Sequence, residues 1–283
     1  MTVPPVGSLD GSTTPADRYL DLLRRCLTRY GLGDDFAPIV PSSPPRRRAW
    51  QVISRMLSRR RIVVLRTTPE PDEVRARGGD WPIHAETMVG LQRLDNLQAC
   101  IDQVIRDDVG GDLAETGVWR GGTAILMRAV LAARGEQDRT VWVADSFQGL
   151  PRPKAVHPAD GSDQHWTYPY LAVSLSEVQA NFERYGLLDN RVRFLPGWFC
   201  DTLPVAPIER LAVLRVDGDM YGSTMDVLTA LYPKVERGGF IIIDDYGAIQ
   251  GCKLAVDEYR AANGITEVIR TIDWTGVYWR REH

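Results

Sequence analysis

The sequence predicts an α/β fold in which helices cover a mostly parallel sheet. From residue 86 onward, short apolar segments alternate with segments of helical apolar spacing, and two β-rich segments close the chain. Such alternation builds right-handed βαβ crossovers, with helices on both faces of the sheet. With 44% hydrophobic and 25% charged residues, a chain of 283 residues can bury one substantial core.

The predicted strands are short, and most of them end in polar or glycine residues. They span residues 111–116, 140–146, 192–197, 211–217 and 238–245. Helical patterns occupy residues 90–107, 121–134, 174–186, 222–234 and 250–262. The last two segments, 265–273 and 275–282, are joined by the turn "WTG" and predict an antiparallel hairpin at one sheet edge. A seven-stranded sheet of this kind is the outline of the Rossmann-like class I methyltransferase fold, although a fold alone does not determine the reaction.

Residues 1–85 are predicted to form an N-terminal helical cap or lid, and residues 86–283 the sheet-containing domain. Residues 16–31 have apolar side chains at helical spacing and predict an amphipathic helix. A proline-rich stretch at 37–45 leads into the basic segment 46–66, which predicts a helix or a helix–strand pair, and then into the polar, loop-like segment 67–82.

Charge and composition favour a small-molecule partner. The 34 basic and 37 acidic residues give a net charge of −3, which offers no electrostatic reason to bind nucleic acid or an anionic membrane. No apolar segment reaches the roughly 18 residues of a membrane span, and the first residues do not resemble a secretory signal, so a cytoplasmic location is expected. The four cysteines are far apart and predict neither a zinc site nor disulfides.

The ends of the first three predicted strands have features of a cofactor site, because ligands of parallel sheets bind outside the carboxyl ends of the strands. Glu115 begins the pattern E-x-G-x-x-x-G-G, whose glycines let the backbone pass close to a ligand and whose helix start would present free amides. This spacing differs from the dinucleotide pattern G-x-G-x-x-G. Asp145 ends the second strand, where a carboxylate can bind a ribose diol. Gly197, Trp198 and Phe199 follow the third strand and could face an adenine ring, although Trp198 could equally pack in the core.

Acidic residues end the fourth and fifth predicted strands. Asp217 ends the fourth, with Asp219 two residues later, and Asp244 and Asp245 end the fifth. Adjacent strands lie about 4.8 Å apart, so these carboxylates would repel one another unless a cation lay among them. Oxygen ligands suit Mg²⁺. The alternative is that Asp217 caps the next helix and Asp245 belongs to a turn.

These motifs carry a family resemblance. The segments "ETGVWRGGTA", "VADSFQGLP", "LRVDGDMYGSTMDVL" and "FIIIDDY" resemble the macrocin O-methyltransferase family, whose members methylate sugar hydroxyls on glycosylated antibiotics. The resemblance covers residues 80–283 almost continuously and includes "DLLRRCLT" near the start, but the segment 32–75 does not follow the family pattern.

The resemblance implies a site, two cofactors and partners. It assigns Asp217, Asp244 and Asp245 as Mg²⁺ ligands, with Asp217 also the catalytic base, because Met220 stands where more distant catechol-type enzymes have lysine. It implies an acceptor that is a glycosylated small molecule, and a dimer or larger homo-oligomer. The residues expected to hold S-adenosylmethionine are Thr87, Met88, Glu115, Gly117, Trp119, Gly121, Gly122, Thr123, Asp145, Ser146, Phe147, Gly197, Trp198 and Asp217.

Several alternatives remain open at this point. His84 or His165 could share the role of base, and the loop 156–174 could be a substrate lid whose Trp166, Tyr168 and Tyr170 stack on the acceptor, or merely an exposed loop. The acceptor hydroxyl could belong to a non-sugar molecule. A nucleotide-dependent oxidoreductase, a glycosyltransferase that uses "DGD" as its D-x-D motif, and a non-catalytic cofactor-binding scaffold are the other classes considered.

Overall fold

A seven-stranded sheet organises the chain between residues 112 and 280. The computed structural model describes residues 14–32, 36–38, 44–60, 62, 64–67 and 72–283. In chain order, the helices and strands are α1 (Pro15–Thr28), β1 (Phe36–Pro38), α2 (Pro44–Ser58), β2 (Leu65–Thr67), α3 (Asp72–Ala76), α4 (Leu91–Arg106), β3 (Asp112–Thr116), α5 (Gly122–Arg134), β4 (Val141–Asp145), α6 (Leu175–Arg184), β5 (Val192–Pro196), α7 (Phe199–Thr202), β6 (Leu211–Val216), α8 (Tyr221–Leu231), β7 (Val235–Ile243), α9 (Gln250–Ala262), β8 (Arg270–Thr271) and β9 (Val277–Arg280).

The strand order in the sheet is β5-β4-β3-β6-β7-β9-β8. The pairs from β5 to β7 are parallel, and β9 is antiparallel to both β7 and β8. The predicted parallel sheet with a C-terminal antiparallel hairpin is therefore confirmed. The chain runs from β3 outward to β5 and then returns to place β6 on the other side of β3, which makes the β3/β6 boundary the point where ligands bind in open α/β sheets.

Apolar residues cover both faces of the sheet. One core cluster joins α4, α5 and α6 to one face, and a second joins α8 and α9 to the other. All of β6 is buried, as expected for a strand at the centre of a parallel sheet. The two edge strands differ from it: β5 has the exposed Arg193 and ends at Pro196, and both residues of β8 are exposed.

Helix α1 packs directly onto the main domain. Its buried leucines, Leu20, Leu23 and Leu27, belong to the same core cluster as α4 and α5. Thr14 begins the helix with a capping box, in which its hydroxyl accepts the Asp17 amide and the Asp17 carboxylate accepts the Thr14 amide. Asp17 also forms an ion pair with Arg134 of α5 at 2.9 Å. The division of the chain at residue 85 stays a prediction.

The remaining N-terminal elements are small. The basic segment forms α2 followed by β2, which pairs with β1 as a two-stranded antiparallel ribbon. The polar stretch before residue 82, predicted to be a loop, contains the short helix α3. Within the part of the chain that the structure describes, none of the helices combines the length and the apolar character needed to cross a bilayer.

Several boundaries near the sheet differ from the sequence prediction. Strand β7 begins at Val235, three residues early, and β8 covers only Arg270–Thr271 of the predicted segment 265–273. Helix α8 ends at Leu231, three residues early, because Pro233 has no N–H to continue the α-helical hydrogen bonds. Strand β7 ends at Ile243, so Asp244 and Asp245 lie just beyond the strand. Both acids are therefore outside the carboxyl edge of the sheet.

The α1 capping box gives a stability prediction. Thr14→Ala removes the hydroxyl that accepts the Asp17 amide, and we expect the free energy of unfolding to fall by about 1 kcal/mol. Thr14→Ser keeps the acceptor and serves as the matched control. Urea denaturation followed by circular dichroism measures both variants, and equal losses for Ala and Ser would contradict a capping role.

Candidate active site

Strand register brings the predicted acids together. Glu115 of β3 lies opposite Arg215 of β6, and Arg215 lies opposite Ile242 of β7. Two residues further on, Asp217 and Asp244 extend the same register, with the Asp244 amide donating to the carbonyl oxygen of Val216. Because side chains two residues apart on a strand share a face, Arg215 and Asp217 project to the same side.

A buried guanidinium lies between three of these carboxylates. Arg215, 2% exposed, donates to Glu115 Oε1 at 2.6 Å, to Asp217 Oδ2 at 2.9 Å and to Asp244 Oδ1 at 2.5 Å. Arg93 of α4 donates to the other oxygen of Asp244, and to Asp273 at 3.0 Å. Part of the positive charge that the sequence argument assigned to a metal is therefore supplied by two arginines.

The arginines do not neutralise the whole cluster. Around them lie Glu115, Asp217, Asp219, Asp244, Asp245 and Asp273, so two cations face six acids. One oxygen from each of Asp217, Asp244 and Asp245 lies within 4.8 Å of the other two. This oxygen-only set, with excess negative charge beside it, fits a hard divalent cation such as Mg²⁺.

The pKa values follow these contacts. Burial and the nearby Asp244 raise the pKa of Asp217 to about 6, despite Arg215. Burial and the charges of neighbouring acids raise the pKa of Asp219 and of Asp245 well above the ordinary value. Burial alone would raise the pKa of Asp244 as well, but Arg93 and Arg215 outweigh it and hold that pKa below the ordinary value.

The glycine turn after β3 lies against the turn after β6. Gly117 has φ +83°, and a Cβ there would lie 1.7 Å from the carbonyl oxygen of Asp217, so only glycine fits. Gly121 and Gly122 are also sterically required, but by Val178 and by the carbonyl of Glu86. The expected free amide at the start of α5 is not found at Gly122, because this N–H donates to the Glu86 carbonyl oxygen.

Glu115, which begins this motif, and Thr123, which follows its last glycine, are both buried. Glu115 Oε1 accepts hydrogen bonds from Thr123 and Arg215, and burial raises the pKa of Glu115 to about 7. Among the described residues, Oε2 of Glu115 is buried without a hydrogen-bond partner. A buried carboxylate oxygen of this kind is where an additional donor or cation is expected.

Asp145 organises the turn after β4. Its two oxygens accept the amides of Val118 at 2.8 Å and Phe147 at 2.7 Å, which joins this turn to the glycine turn. Burial outweighs these hydrogen bonds and raises the pKa of Asp145. The carboxylate lines the cavity, which places it where a ligand donor can reach it.

Non-glycine residues with positive φ follow three neighbouring strands, β4, β3 and β6. Trp119 follows β3 with φ 47°, Phe147 follows β4 with φ 55°, and Asp219 follows β6 with φ 55°. Such conformations cost about 1–3 kcal/mol each and often cluster at functional sites; the other two that the structure describes, Arg29 and Asp108, follow the ends of α1 and α4.

A cavity of about 750 Å³ opens at these strand ends. Of the predicted cofactor residues, those that line it are Met88, Gly117, Trp119, Asp145, Ser146, Gly197, Trp198 and Asp217. The others, Thr87, Glu115, Gly121, Gly122, Thr123 and Phe147, are outside its lining. Trp198 is 37% exposed and faces the cavity, so the alternative that it packs in the core is wrong.

The segment before α4 is hydrogen-bonded to the glycine turn after β3 and to α3. Arg120 donates to the carbonyls of Ile83 and Ala85, and Arg75 donates to the carbonyl of Met88 at 2.6 Å. Thr87 is buried, and its hydroxyl accepts the amide of Val89. These bonds place Met88 at the cavity wall.

The β4–α6 loop, residues 146–174, forms the opposite wall. Trp166 lines the cavity, and the guanidinium of Arg152 lies 4.6 Å from the centre of its ring. The other two aromatic residues expected to contact an acceptor pack elsewhere, since Tyr168 and Tyr170 both contact Trp81. His165 pairs with Asp163, and neither His84 nor His165 lines the cavity.

Sequence reasoning missed four residues of the site, and one of them, Arg93 of α4, had no signal because its partner Asp244 lies 151 positions away. Arg215 had a detectable signal, since a charged residue inside a buried strand needs a partner, and it precedes Asp217 by two positions. Asp219 was noted in the motif without a role. Asp160, in the β4–α6 loop, had no signal: it accepts the amides of Tyr221 and Gly222 and so caps α8. The alternative that Asp217 caps this helix is therefore wrong.

Comparisons with known proteins agree with this architecture. The sequence profile described as Macrocin-O-methyltransferase (TylF) matches residues 16–281. The chain is 59% identical over 266 residues, 93% of its length and 92% of the relative's, to 8-demethyl-8-(2,3-dimethoxy-alpha-L-rhamnosyl)-tetracenomycin-C 4'-O-methyltransferase of Streptomyces olivaceus. It is 56% identical over 214 residues to mycinamicin III 3''-O-methyltransferase of Micromonospora griseorubida, covering 74% of this chain and 84% of that relative.

A solved structure agrees with both the fold and the sequence. The O-methyltransferase NovP is 48% identical and superposes with a TM-score of 0.80, covering 95% of this chain and 100% of NovP. The calicheamicin methyltransferase CalS11, at 20% identity and a TM-score of 0.56 with 85% of this chain and 94% of CalS11 covered, shares the fold. The protein is an O-methyltransferase, and the chain belongs to the macrocin O-methyltransferase family.

Proposed function

We propose that this protein transfers a methyl group from S-adenosylmethionine to a sugar hydroxyl of a glycosylated natural product, in a reaction that requires Mg²⁺. The observation that carries the proposal is the acidic cluster at the ends of β6 and β7, whose member Asp217 also lines a cavity large enough for a cofactor and part of an acceptor. Two relatives above 55% identity support the class of acceptor, because their names place methylation on antibiotic-type compounds, one of them rhamnosylated.

Asp217, Asp244 and Asp245 are the proposed Mg²⁺ ligands. A cation held there supplies positive charge close to an acceptor oxygen that becomes negative as it loses its proton. Arg215 and Arg93 hold Asp244 in its ionised form, and Arg215 fixes one oxygen of Asp217. Two of the three proposed ligands are therefore held in place by arginines before any ion binds.

The proposed cofactor side of the cavity is the part formed by the turns after β3, β4 and β5. S-adenosylmethionine supplies the methyl group, bound to a sulfonium. Asp145, Gly117 and Trp198 are placed to contact it directly, with Met88, Trp119, Ser146 and Gly197 beside them. The buried residues Glu115, Gly121, Gly122, Thr123, Phe147 and Thr87 contribute by shaping these turns.

The proposed acceptor side is the wall formed by the β4–α6 loop and the start of α7. Trp166 and Phe199 offer flat apolar surfaces, and Arg152 and His157 offer hydrogen-bond donors. Such a mixture suits a sugar attached to an apolar aglycone. The assembly of two or more copies, which the family resemblance implies, is part of the same proposal.

Two carboxylates are candidates for the proton acceptor. Asp217, the base expected from the sequence, is bound to Arg215 and is also a proposed metal ligand, and both interactions weaken it as a base. Asp219 lines the cavity beside it and lies outside the three-acid set. No arginine contact of the kind that Asp217 makes with Arg215 is found for Asp219 among the described residues. We therefore propose Asp217 as a ligand and Asp219 as the residue that takes the proton.

The metal proposal predicts selective loss of Mg²⁺ binding. Asp245→Asn removes one ligand charge, and we expect Mg²⁺ affinity to fall at least about tenfold in isothermal titration, with S-adenosylmethionine affinity unchanged. Asp226→Asn, which changes another acid of the same cavity, is the matched control and should bind Mg²⁺ like the wild type. Methyl transfer that continues undiminished after thorough treatment with EDTA would contradict a metal requirement.

The assignment of the base predicts a split between two variants. Asp219→Asn should lower kcat by about 10²–10⁴-fold and leave Mg²⁺ affinity unchanged, since only the proton acceptor is lost. Asp217→Asn should lower both kcat and Mg²⁺ affinity. Steady-state kinetics and titration calorimetry distinguish them, and wild-type kcat in Asp219→Asn would return the role of base to Asp217.

The acceptor class is tested by paired substrates. With S-adenosylmethionine and Mg²⁺, we expect glycosylated macrolides, aminocoumarins or polyketides to gain one methyl group by mass spectrometry, and their aglycones to gain none. Equal methylation of the aglycones would favour a non-sugar hydroxyl. Binding of NAD(H) or of a nucleotide sugar in place of S-adenosylmethionine would favour the oxidoreductase or glycosyltransferase alternative.

A further inference from the structure

An acid is the only buried side chain in the middle of the β4–α6 loop. From Gln148 to Ala172, a stretch that the structure describes throughout, every residue is at least partly exposed except Asp160, which is 3% exposed. Aspartate is almost never buried unless it has partners. The burial of this one acid within an exposed loop therefore indicates a specific set of contacts.

Those contacts are the first amides of α8. Asp160 Oδ1 accepts the Tyr221 N–H at 2.6 Å, and Oδ2 accepts the Gly222 N–H at 3.0 Å. Met220, the residue that begins this helix, provides no side-chain cap. Asp160 therefore satisfies two amides that the helix leaves free, and its charge is favourable at the positive end of the helix dipole.

Glycines allow the loop to approach this closely. A Cβ at Gly222 would lie 2.8 Å from the His157 ring, and a Cβ at Gly251 of α9 would lie 3.0 Å from Asp160 Oδ1. The His157 ring also packs against that of Tyr221, with centroids 5.5 Å apart. The contact between loop and helix is thus tightly packed as well as hydrogen-bonded.

The N-terminal end of α8, which Asp160 caps, directly follows the turn that contains the proposed base. Residues 217–220 connect β6 to α8, and Asp219 has the strained φ of 55° within them. A strained residue keeps its conformation only when its surroundings fix it. One end of the turn is held by the sheet, and the other end is held by the two Asp160 hydrogen bonds.

We infer that Asp160 is a positioning residue, which couples the acceptor wall to the catalytic turn. The loop that contains Asp160 also contributes Arg152, His157 and Trp166 to the cavity. A shift of this loop therefore moves the start of α8, and with it Asp219. The inference rests on the proposed function for its catalytic consequence, while the structural coupling itself is independent of the reaction.

The test compares three variants of the full-length protein. Asp160→Ala removes both acceptors, and Asp160→Asn keeps one oxygen that can accept one amide. Asp163→Asn is the matched control for the exchange measurement, because Asp163 lies in the same loop and, among the described residues, its side chain hydrogen-bonds to His165 and not to α8. It is not a control for kcat, since the Asp163 charge acts on Asp219. Hydrogen exchange by mass spectrometry measures the amides of residues 217–224 and of 148–172. Calorimetry with S-adenosylhomocysteine reports on the cofactor site and on folding.

We expect Asp160→Ala to exchange at least about tenfold faster in both regions, Asp160→Asn to be intermediate, and Asp163→Asn to match the wild type. S-adenosylhomocysteine affinity should change less than about threefold, while kcat falls by about 10–100-fold, because misplacement of a reacting group by about 1 Å has effects of this size.

Unchanged exchange in Asp160→Ala, or equal exchange in Asp163→Asn and Asp160→Asn, would overturn the inference. If Asp160→Ala does not fold, Asp160→Asn decides by the same exchange measurement. Faster exchange without methylation of any sugar by the wild type would contradict the proposed function but not the coupling.

Discussion

The Arg215 guanidinium is the interaction on which the site depends. It binds carboxylates from the ends of three neighbouring strands, β3, β6 and β7, and it is almost completely buried. Breaking a buried ion pair by removing one partner typically costs about 3–5 kcal/mol, because the remaining charge stays buried and uncompensated. The positions of Glu115, Asp217 and Asp244 are thus determined together. One guanidinium therefore links the glycine motif after β3 to two of the proposed metal ligands.

Much of this arrangement could be predicted from local patterns. The apolar segments predicted the five parallel strands. Because ligands bind at the carboxyl ends of such strands, Glu115, Asp145 and Asp217 were predicted to belong to the site. The convergence of Asp217 with Asp244 and Asp245 follows from strand spacing alone, since adjacent strand ends must be neighbours once the order of the strands is right. Gly117 was also identifiable, because close backbone approach is a general reason for glycine in such a turn.

Long-range partners could not be predicted in the same way. Arg93 reaches Asp244 across 151 positions of sequence, and Asp160 reaches Tyr221 across 61. No periodicity or motif records such contacts, because they depend on how a helix or a loop is placed over the sheet. The same limit explains the glycines: Gly121 and Gly122 were assigned to a ligand, whereas their immediate neighbours are Val178 and the Glu86 backbone. A glycine in the sequence indicates that a side chain would not fit there, but it does not show which neighbouring atoms exclude that side chain.

The edge strands have a consequence for how this protein meets other molecules. One edge, β5, has Arg193 and terminates in a proline that cannot donate a hydrogen bond, and the other, β8, is only two residues long. Short, charged or proline-containing edges resist the addition of a foreign strand. Both edges of the seven-stranded sheet therefore resist the strand pairing by which a second molecule would extend it, and this disfavours aggregation through an intermolecular sheet.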